Sequence, residues 1–426
     1  MKKFGITLII CFCLGKMFAQ NTSSPYSIIG LGDIEKSYFD RTSGLGHGGV
    51  ALSNDRYFFV GNPASFSYLE SPTFRNPFYF DLAIRYKNVG FAGSAITNST
   101  ANQSNDLQFK RLSFAIKPTA KWGLSVGMLP FSNANYSFKG LKAIQGGGFN
   151  VEAQYEGTGS GNLLYFTNSY MIAKNLSIGV QSSVLFGQYN DKETIYSAVT
   201  DSVLATDRNV VLSSPYFKGG ILYKKQVNKN WNVSIGATGS LKTNMHADYQ
   251  LKVTDGNTTL KEVNERRKNY TALPIMGAIG IAATLKNKYT FVADYNAQNW
   301  SALNYRGSNY YLTNSSRISA GMQYTNNIIV RDNQGNTASY EQSFLQFGFY
   351  FNRSYLNVYD QPLKEWGVTL GAGTQLNRSG LGLQANVEIG GRGTTNNGLV
   401  KENITQIGLT ISYRDFWFTK KVKKYN

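Results

Sequence analysis

From residue 78 onward, apolar and polar side chains alternate with a period of two over stretches of about eight to twelve residues. In "WNVSIGATGSLK", Trp231, Val233, Ile235, Ala237 and Leu241 fall on one face, and Asn232, Ser234, Thr238, Ser240 and Lys242 on the other. The alternation returns in "RLSFAIK", "FLQFGFYFN", "LGLQANVEI" and "QIGLTISYR". Such segments are strands with one apolar face, and a chain holding many of them must stack them or close them into a ring.

The connections favour the ring. Very short polar turns, such as Ala173-Lys174-Asn175, Asn228-Lys229-Asn230 and Lys286-Asn287-Lys288, take turns with long polar stretches at 138–160, 190–209, 252–266, 297–312 and 391–402. Short loops at one rim and long loops at the other are the layout of a membrane barrel. The spacing predicts fourteen strands, near 78, 107, 121, 161, 175, 210, 231, 266, 289, 314, 342, 364, 380 and 404. The count is even and both ends fall on the short-turn side, as bacterial outer-membrane barrels require. One connection, 327–341, falls on that side by parity although it is long. The last strand ends in Phe416, Trp417 and Phe418, which suit an interfacial aromatic girdle. A soluble β-sandwich or propeller would have to hide the aromatics of both faces, and no blade-length repeat is visible.

Aromatic residues make up 14% of the chain, charged residues 16%, and there are 43 glycines, which suits strands and turns in a partly apolar medium. Past the N-terminus, the longest apolar run, 273–285, falls short of the roughly 20 residues of a spanning helix and is broken by Pro274, Gly277 and Gly280. Lys2 and Lys3, the apolar run from Phe4 to Leu14, and Met17-Phe18-Ala19 before Gln20 predict a secretory signal over residues 1–19. Cys11 and Cys13 lie inside it, so the exported part has no disulfide framework and no thiol ligand. Leu14 and Lys16-Met17-Phe18 suit lipid attachment at Cys13 poorly. Loss of Lys2, Lys3 and Lys16 lowers the formal charge from +18 to +15, and the remaining cations are scattered rather than gathered on a nucleic-acid-binding face. The exception is the 419–426 tail, with Lys420, Lys421, Lys423 and Lys424, a solvated segment with some affinity for anionic headgroups.

The stretch "GLGHGGVALSNDRYFFVGNPASF", 44–66, carries Gly44, Gly46, Gly48 and Gly49 and closes on Asn62, Pro63 and Ala64. A dinucleotide fingerprint needs a strand before the glycines and a helix after them. Phe39-Asp40-Arg41-Thr42-Ser43 and Asn54-Asp55-Arg56 supply neither. A fourteen-stranded barrel is too wide for its own side chains to fill, so its lumen needs a plug or a ligand. Glycine-rich backbone can pass close to a wall. Residues 20–77 are therefore expected to form the plug, and 78–418 the barrel.

Three stretches, "SPYSIIGLGDI", "RTSGLGHGGVALSNDRYFFVGNPASFSYL" and "ENITQIGLTISYRDFWF", together resemble the FadL family of outer-membrane transport proteins, particularly its Bacteroidota members. The resemblance implies an N-terminal hatch inside a fourteen-stranded barrel. It also implies passage of hydrophobic molecules, such as long-chain fatty acids, through a lateral opening made by a kink in the third strand. By order, that strand is "KWGLSVGMLPFSNANYSF", which puts the lateral gate at Pro130 and Phe131. Pro130 cannot donate to a ladder, so it marks an edge, a bulge or a break, or else it lies in a loop beyond a shorter strand.

Catalytic signals are weak. His47 and His246 are the only histidines, and neither sits in a recognisable carboxylate cluster that would hold a metal. Serine is too abundant for a Ser-His pairing to be read from sequence. Glu152 and Glu156 lie in a segment that reads as extended or looped, not on one helical face. No catalysis, metal or cofactor is expected. The leading expectation is a passive outer-membrane channel for small hydrophobic molecules, in contact with lipid. Its rival is an accessory barrel that transports nothing and docks onto a larger secretion or barrel-assembly complex. The aromatic loop 295–311 serves either reading, as a lid or as a docking surface, or simply packs over its own rim. The lumen discriminates: a continuous apolar path favours transport, a tightly packed interior the accessory role.

Overall fold

The structure, a computed structural model, describes residues 24–70, 76–93, 102–143, 150–197, 202–307, 309–331, 337–376 and 380–417. The expected signal (1–19) and basic tail (419–426) lie outside the described residues, as does Phe418.

Fourteen antiparallel strands close into a barrel. They are β1 (Asn76–Ala92), β2 (Gln103–Ile116), β3 (Trp122–Asn133, resumed as Tyr136–Ala143), β4 (Asn150–Ala173), β5 (Leu176–Ser197), β6 (Ser202–Gln226) and β7 (Trp231–Ser240, resumed as Thr243–Asp255). They continue with β8 (Thr258–Leu273, resumed as Met276–Leu285), β9 (Tyr289–Gln298), β10 (Ser315–Arg331), β11 (Thr337–Val358), β12 (Gln361–Leu376), β13 (Leu381–Arg392) and β14 (Lys401–Trp417). Closure is made by β14 on β1, from Trp417 opposite Asn76 to Lys401 opposite Ala92. Closure leaves no continuous sheet edge, the condition for strands to cross lipid.

The period of two places the side chains. On β11, Leu345, Phe347, Phe349 and Phe351 point outward and are half exposed, while Phe344, Gln346, Tyr350 and Asn352 are buried on the lumen side. Outward apolar residues continue round the wall, among them Phe166, Val180, Ile221, Ile281, Phe291, Leu370 and Leu409. They form a band of the kind that faces hydrocarbon in outer-membrane barrels. Phe416 is exposed at the rim that carries the chain ends but shares the parity of the lumen-side Thr410 and Arg414, not that of the outward Leu409 and Ile411, so it lies off the outward face where an aromatic girdle would sit.

Strand number and order agree with the sequence, but three expected loops do not. The stretches 138–160, 190–209 and 252–266 are largely strand, with Phe138 opposite Tyr155, Glu193 opposite Thr206 and Val253 opposite Lys261. Beyond the lipid band neither sheet face meets hydrocarbon, so both carry polar residues and the alternation fades while the pairing continues. These extensions raise a curled sheet of β3 to β8 above one rim. Its last member, Thr258–Leu273, pairs only with β7 among the described residues and carries Lys261, Glu262, Glu265, Arg266 and Arg267. Charges of this kind guard an exposed edge against promiscuous pairing. The anomalous 327–341 connection is a two-stranded ribbon reaching past the opposite rim, from Asn327 opposite Glu341 to Arg331 opposite Thr337. The aromatic loop folds back on the barrel: Trp300 stacks on Tyr355 with ring centroids 4.5 Å apart, and Tyr310–Leu312 pairs with Leu356–Val358.

Residues 24–70 bond to lumen-facing positions around the wall. Three 3-10 turns, Pro25–Ile28, Arg41–Leu45 and Pro63–Tyr68, begin at Ser24, Asp40 and Asn62, each of which accepts the amide two residues on. Such caps replace the ladder bonds that a buried irregular segment lacks. Leu31, Phe58, Val60, Phe66 and Leu69 complete the core against Tyr79, Leu129, Tyr165, Leu185 and Met245.

Candidate functional site: the filled lumen and the split in the wall

The glycines of this segment meet glycines of the barrel. A Cβ placed on Gly348 of β11 would stand 2.2 Å from the Gly46 amide nitrogen, and one on Gly236 of β7 2.3 Å from the Val50 carbonyl oxygen. Gly179 of β5 would strike the Pro63 carbonyl carbon at 2.3 Å, and Gly123 of β3 the Phe66 oxygen at the same distance. Gly321 of β10 and Gly371 of β12 lie under Leu45 and Gly44. The fit is reciprocal, since a Cβ on Gly44 would meet Gln346 Oε1 at 2.3 Å and one on Gly46 the Phe349 oxygen at 2.4 Å. Gly46 also has a left-handed φ of 65°, which a side chain would strain. Gly48 approaches Ser319, and Gly49 donates to Asp294 Oδ2 at 2.5 Å. Asn62 fixes the far end: its Nδ2 donates to the Val50 and Ile221 carbonyls at 2.8 and 3.1 Å, and its Oδ1 accepts the Ala64 amide. Pro63 opens the following turn, and the Ala64 carbonyl accepts from Ser169 and Ser177. The seven residues thus lie along one backbone path against the wall, meeting wall backbone at Gly46, Asn62 and Pro63 and wall side chains at Gly44, Gly48, Gly49 and Ala64.

Charge holds the other half. Asp33 pairs with Arg392 at 2.6 Å, Lys36 with Glu365, Arg41 with Glu341 at 2.6 Å, and His47 with Glu388 at 2.9 Å. Glu35 takes Lys110 and Arg85 together. The Arg41 guanidinium also lies over the Phe344 ring at 3.7 Å. Burial pushes the Glu35 carboxyl up, but the Lys110 ammonium and Arg85 guanidinium outweigh it and hold the group at about 2, below its ordinary 4.5. A carboxyl depressed in the folded state stabilises above its free value and loses that contribution as pH falls. The protection of amides 31–37, taken relative to their intrinsic pH-dependent exchange, is therefore expected to be constant above about pH 5 and to fall as pH drops from 4.5 toward 2. Unchanged protection through that window would remove Glu35 from the attachment.

The same residues stand at a fault in the wall. β2 and β3 pair only from Leu112 opposite Met128 to Ile116 opposite Leu124. Among the described residues no ladder pair joins Gln103–Arg111 to β3. Beyond Met128, β3 keeps its pairing with β4 but shifts register between Pro130 and Ser132 and breaks at Ala134-Asn135. Pro130 is thus inside a strand, at a bulge, and not in a loop. Its missing donor and the bulge turn β3 away from β2. Asp33–Ile34 pairs with the freed edge at Asn133 and Ser132, and the Glu35 amide donates to the Phe131 carbonyl at 2.9 Å. The Glu35 carboxylate reaches Lys110 on β2, so three residues suture both sides of the split.

Phe131 is buried beside a cavity of about 160 Å³ with a mixed polar and apolar lining, and a cavity of about 50 Å³ near His47 is lined mainly by charged and polar groups. Larger spaces, about 730 and 570 Å³, lie within the raised β3–β8 sheet and beneath the Trp300 loop. His246 is at the surface, far in sequence and register from His47, and Glu152 pairs with Lys139 on an exposed strand face. Among the described residues no cluster of metal-ligating side chains forms. The wall charges Lys110, Glu365, Glu388 and Arg392 were the missed signal: ionisable residues on one face of a strand pattern whose other face is apolar mark a wet or ion-paired lumen.

A sequence model of the BamG family matches residues 1–426. No curated protein sequence matches significantly. Among solved structures, a Pseudomonas aeruginosa FadL homologue superposes with a TM-score of 0.61 at 11% identity, covering 90% of this chain and 99% of that one. The P. putida toluene transporter TodX gives 0.57 at 14% identity over 90% and 99%. The CymD monoaromatic hydrocarbon channel gives 0.56 at 12% over 91% and 98%. At these identities the likeness is one of fold, that of FadL-like outer-membrane barrels.

Proposed function

The chain belongs to the BamG family, and from that premise we infer that the protein is an accessory outer-membrane barrel whose N-terminal segment is a fixed plug and whose outer surfaces dock onto a larger secretion or barrel-assembly complex. The observation that carries this reading is the glycine seating. Plug main chain lies directly on wall main chain at strands β3, β5, β7, β10 and β11, and at β12 the Gln346 side chain packs beside the contact. Packed interfaces of this kind do not deform continuously. A hatch that must move to admit each ligand would have to break these contacts and the ion pairs together. The ion-paired lumen also offers poor passage to hydrocarbon, because buried charge cannot be left unpaired cheaply. The raised β3–β8 sheet and its one-sided strand Thr258–Leu273 supply a surface for a partner.

One observation favours a second reading, passive uptake of hydrophobic molecules such as long-chain fatty acids. The split between β2 and β3 at Pro130 stands where the FadL-type gate is expected, and the structural neighbours include channels titled as toluene and monoaromatic hydrocarbon transporters. Native purification in mild detergent with mass spectrometry of co-eluting species separates the two. Stoichiometric recovery with a larger outer-membrane protein is expected; recovery alone, with bound fatty acid or lipid, would overturn the accessory reading.

A further inference from the structure

The 160 Å³ cavity is walled by Asp33–Tyr38 on one side and by β3 to β6, β8 to β11 and β13 on the other. Two of its cations lack an ion pair. Asp33 and Glu402 share Arg392, Glu35 is held by Lys110 and Arg85, and Lys36 is paired with Glu365. That leaves two cations, Lys218 and Arg317. Among the described residues neither has a carboxylate within salt-bridge reach. Lys218 is 9% exposed and spends its ammonium on the Tyr38 hydroxyl, at 2.8 Å, and the Gly61 carbonyl. Arg317 gives one Nη to the Lys36 carbonyl at 3.0 Å, while its buried Nε has no hydrogen-bond partner. Asn296, directly opposite Arg317 in the β9–β10 ladder, has a buried Nδ2 that is likewise unpaired. The neighbouring carboxylate, Asp294, has its Oδ2 committed to the Gly49 and Val50 amides, while its buried Oδ1 has no hydrogen-bond partner and offsets part of the Arg317 charge.

Two cations without an ion pair and two idle N–H donors around one cavity call for a further counter-ion, because charge removed from water is costly until it is paired and hydrogen-bonded. We propose that this cavity binds a small oxyanion, of the phosphate or sulfate class, held by Arg317 and Asn296 from the wall and by Lys218 from across the lumen. The volume leaves room for roughly five waters, or for one such anion with part of that shell. Arg is suited to the task, since its planar fork matches oxyanion geometry. A bound anion would tie the plug more firmly, because the same two cations already hold the Lys36 and Gly61 carbonyls. The inference holds under either functional reading.

The test is calorimetric titration of the full-length mature protein in detergent with inorganic phosphate, inorganic sulfate and, separately, dihexanoylphosphatidic acid. Saturable binding of at least one probe is expected, weakened about tenfold or more by Arg317→Gln and by Lys218→Gln, restored in part by Arg317→Lys, and unaffected by Arg266→Gln on the exposed β8 extension. Response to phosphate or sulfate assigns a free anion; response to the short-chain lipid alone, with the same sensitivity, assigns a headgroup to the same donors. A failure to bind any probe, or binding indifferent to both substitutions, overturns the proposal. Retention of the compact, heat-modifiable form of the barrel in each variant shows that a loss belongs to the site and not to folding.

Discussion

Gly348→Val is expected to be the most damaging single substitution in the wall. Its first methyl-bearing carbon would lie 2.2 Å from the Gly46 nitrogen and 2.3 Å from the Leu45 carbonyl carbon, both main chain. Overpacking a core typically costs about 1–3 kcal/mol when side chains can shift, and the upper end or more is expected where the obstacle is backbone held from six strands. Gly277→Val is the matched control: the site faces outward, and its nearest neighbour, the Thr238 carbonyl oxygen, is 3.8 Å away. Limited proteolysis of the folded protein reads the difference. Cleavage within residues 24–70 should appear in the Gly348 variant and not in the Gly277 variant. Equal protection in both would mean that the contact between residues 44–50 and the wall yields to an added side chain without releasing the segment, and the rigid seating on which the accessory reading rests would fall.

Legibility in the sequence followed the medium that each residue meets. Inside the lipid band one face of every strand must be apolar, so alternation is enforced and "FLQFGFYFN" announced β11 directly. Above the band that pressure disappears. Strand residues 190–197 and 202–209 carry polar groups on both faces and read as loop although they pair in continuous register. The glycines of 44–49 were recognisable as close-approach residues because clustered glycine is unusual outside turns. Their partners, Gly236, Gly321 and Gly348, were not, since an isolated strand glycine gives no hint of which distant backbone lies on it. Charge was harder still. Lys110 and Glu35 are 75 residues apart, and only the closed barrel brings them together. Pro130 stands between these cases: its chemistry forced a defect in β3, while the suture that covers the defect is a tertiary fact.

Arg392→Met is expected to cost about 3–5 kcal/mol, the range for removing one partner of a buried ion pair. The guanidinium donates to Asp33 Oδ1 at 2.6 Å, to Glu402 Oε2 at 2.7 Å and to Ser24 Oγ at 2.8 Å. It lies 4% exposed, so methionine would leave the Asp33 and Glu402 carboxylates without their shared cation. The consequence should be local: Asp33 leaves the β3 edge, the suture across the split is lost from one end, and residues 24–36 become protease-sensitive while the barrel itself stays folded. Urea titration in lipid vesicles gives the magnitude, and the combination Arg392→Met, Asp33→Asn and Glu402→Gln identifies its origin. Neutralising all three removes the stranded charges, so much of the loss should return even though no ion pair remains. Should the triple variant be as unstable as the single one, the arginine acts through its packing, over the Tyr26 ring 5.8 Å away, and the charge network would be a passenger in a fold that the glycine seats already hold.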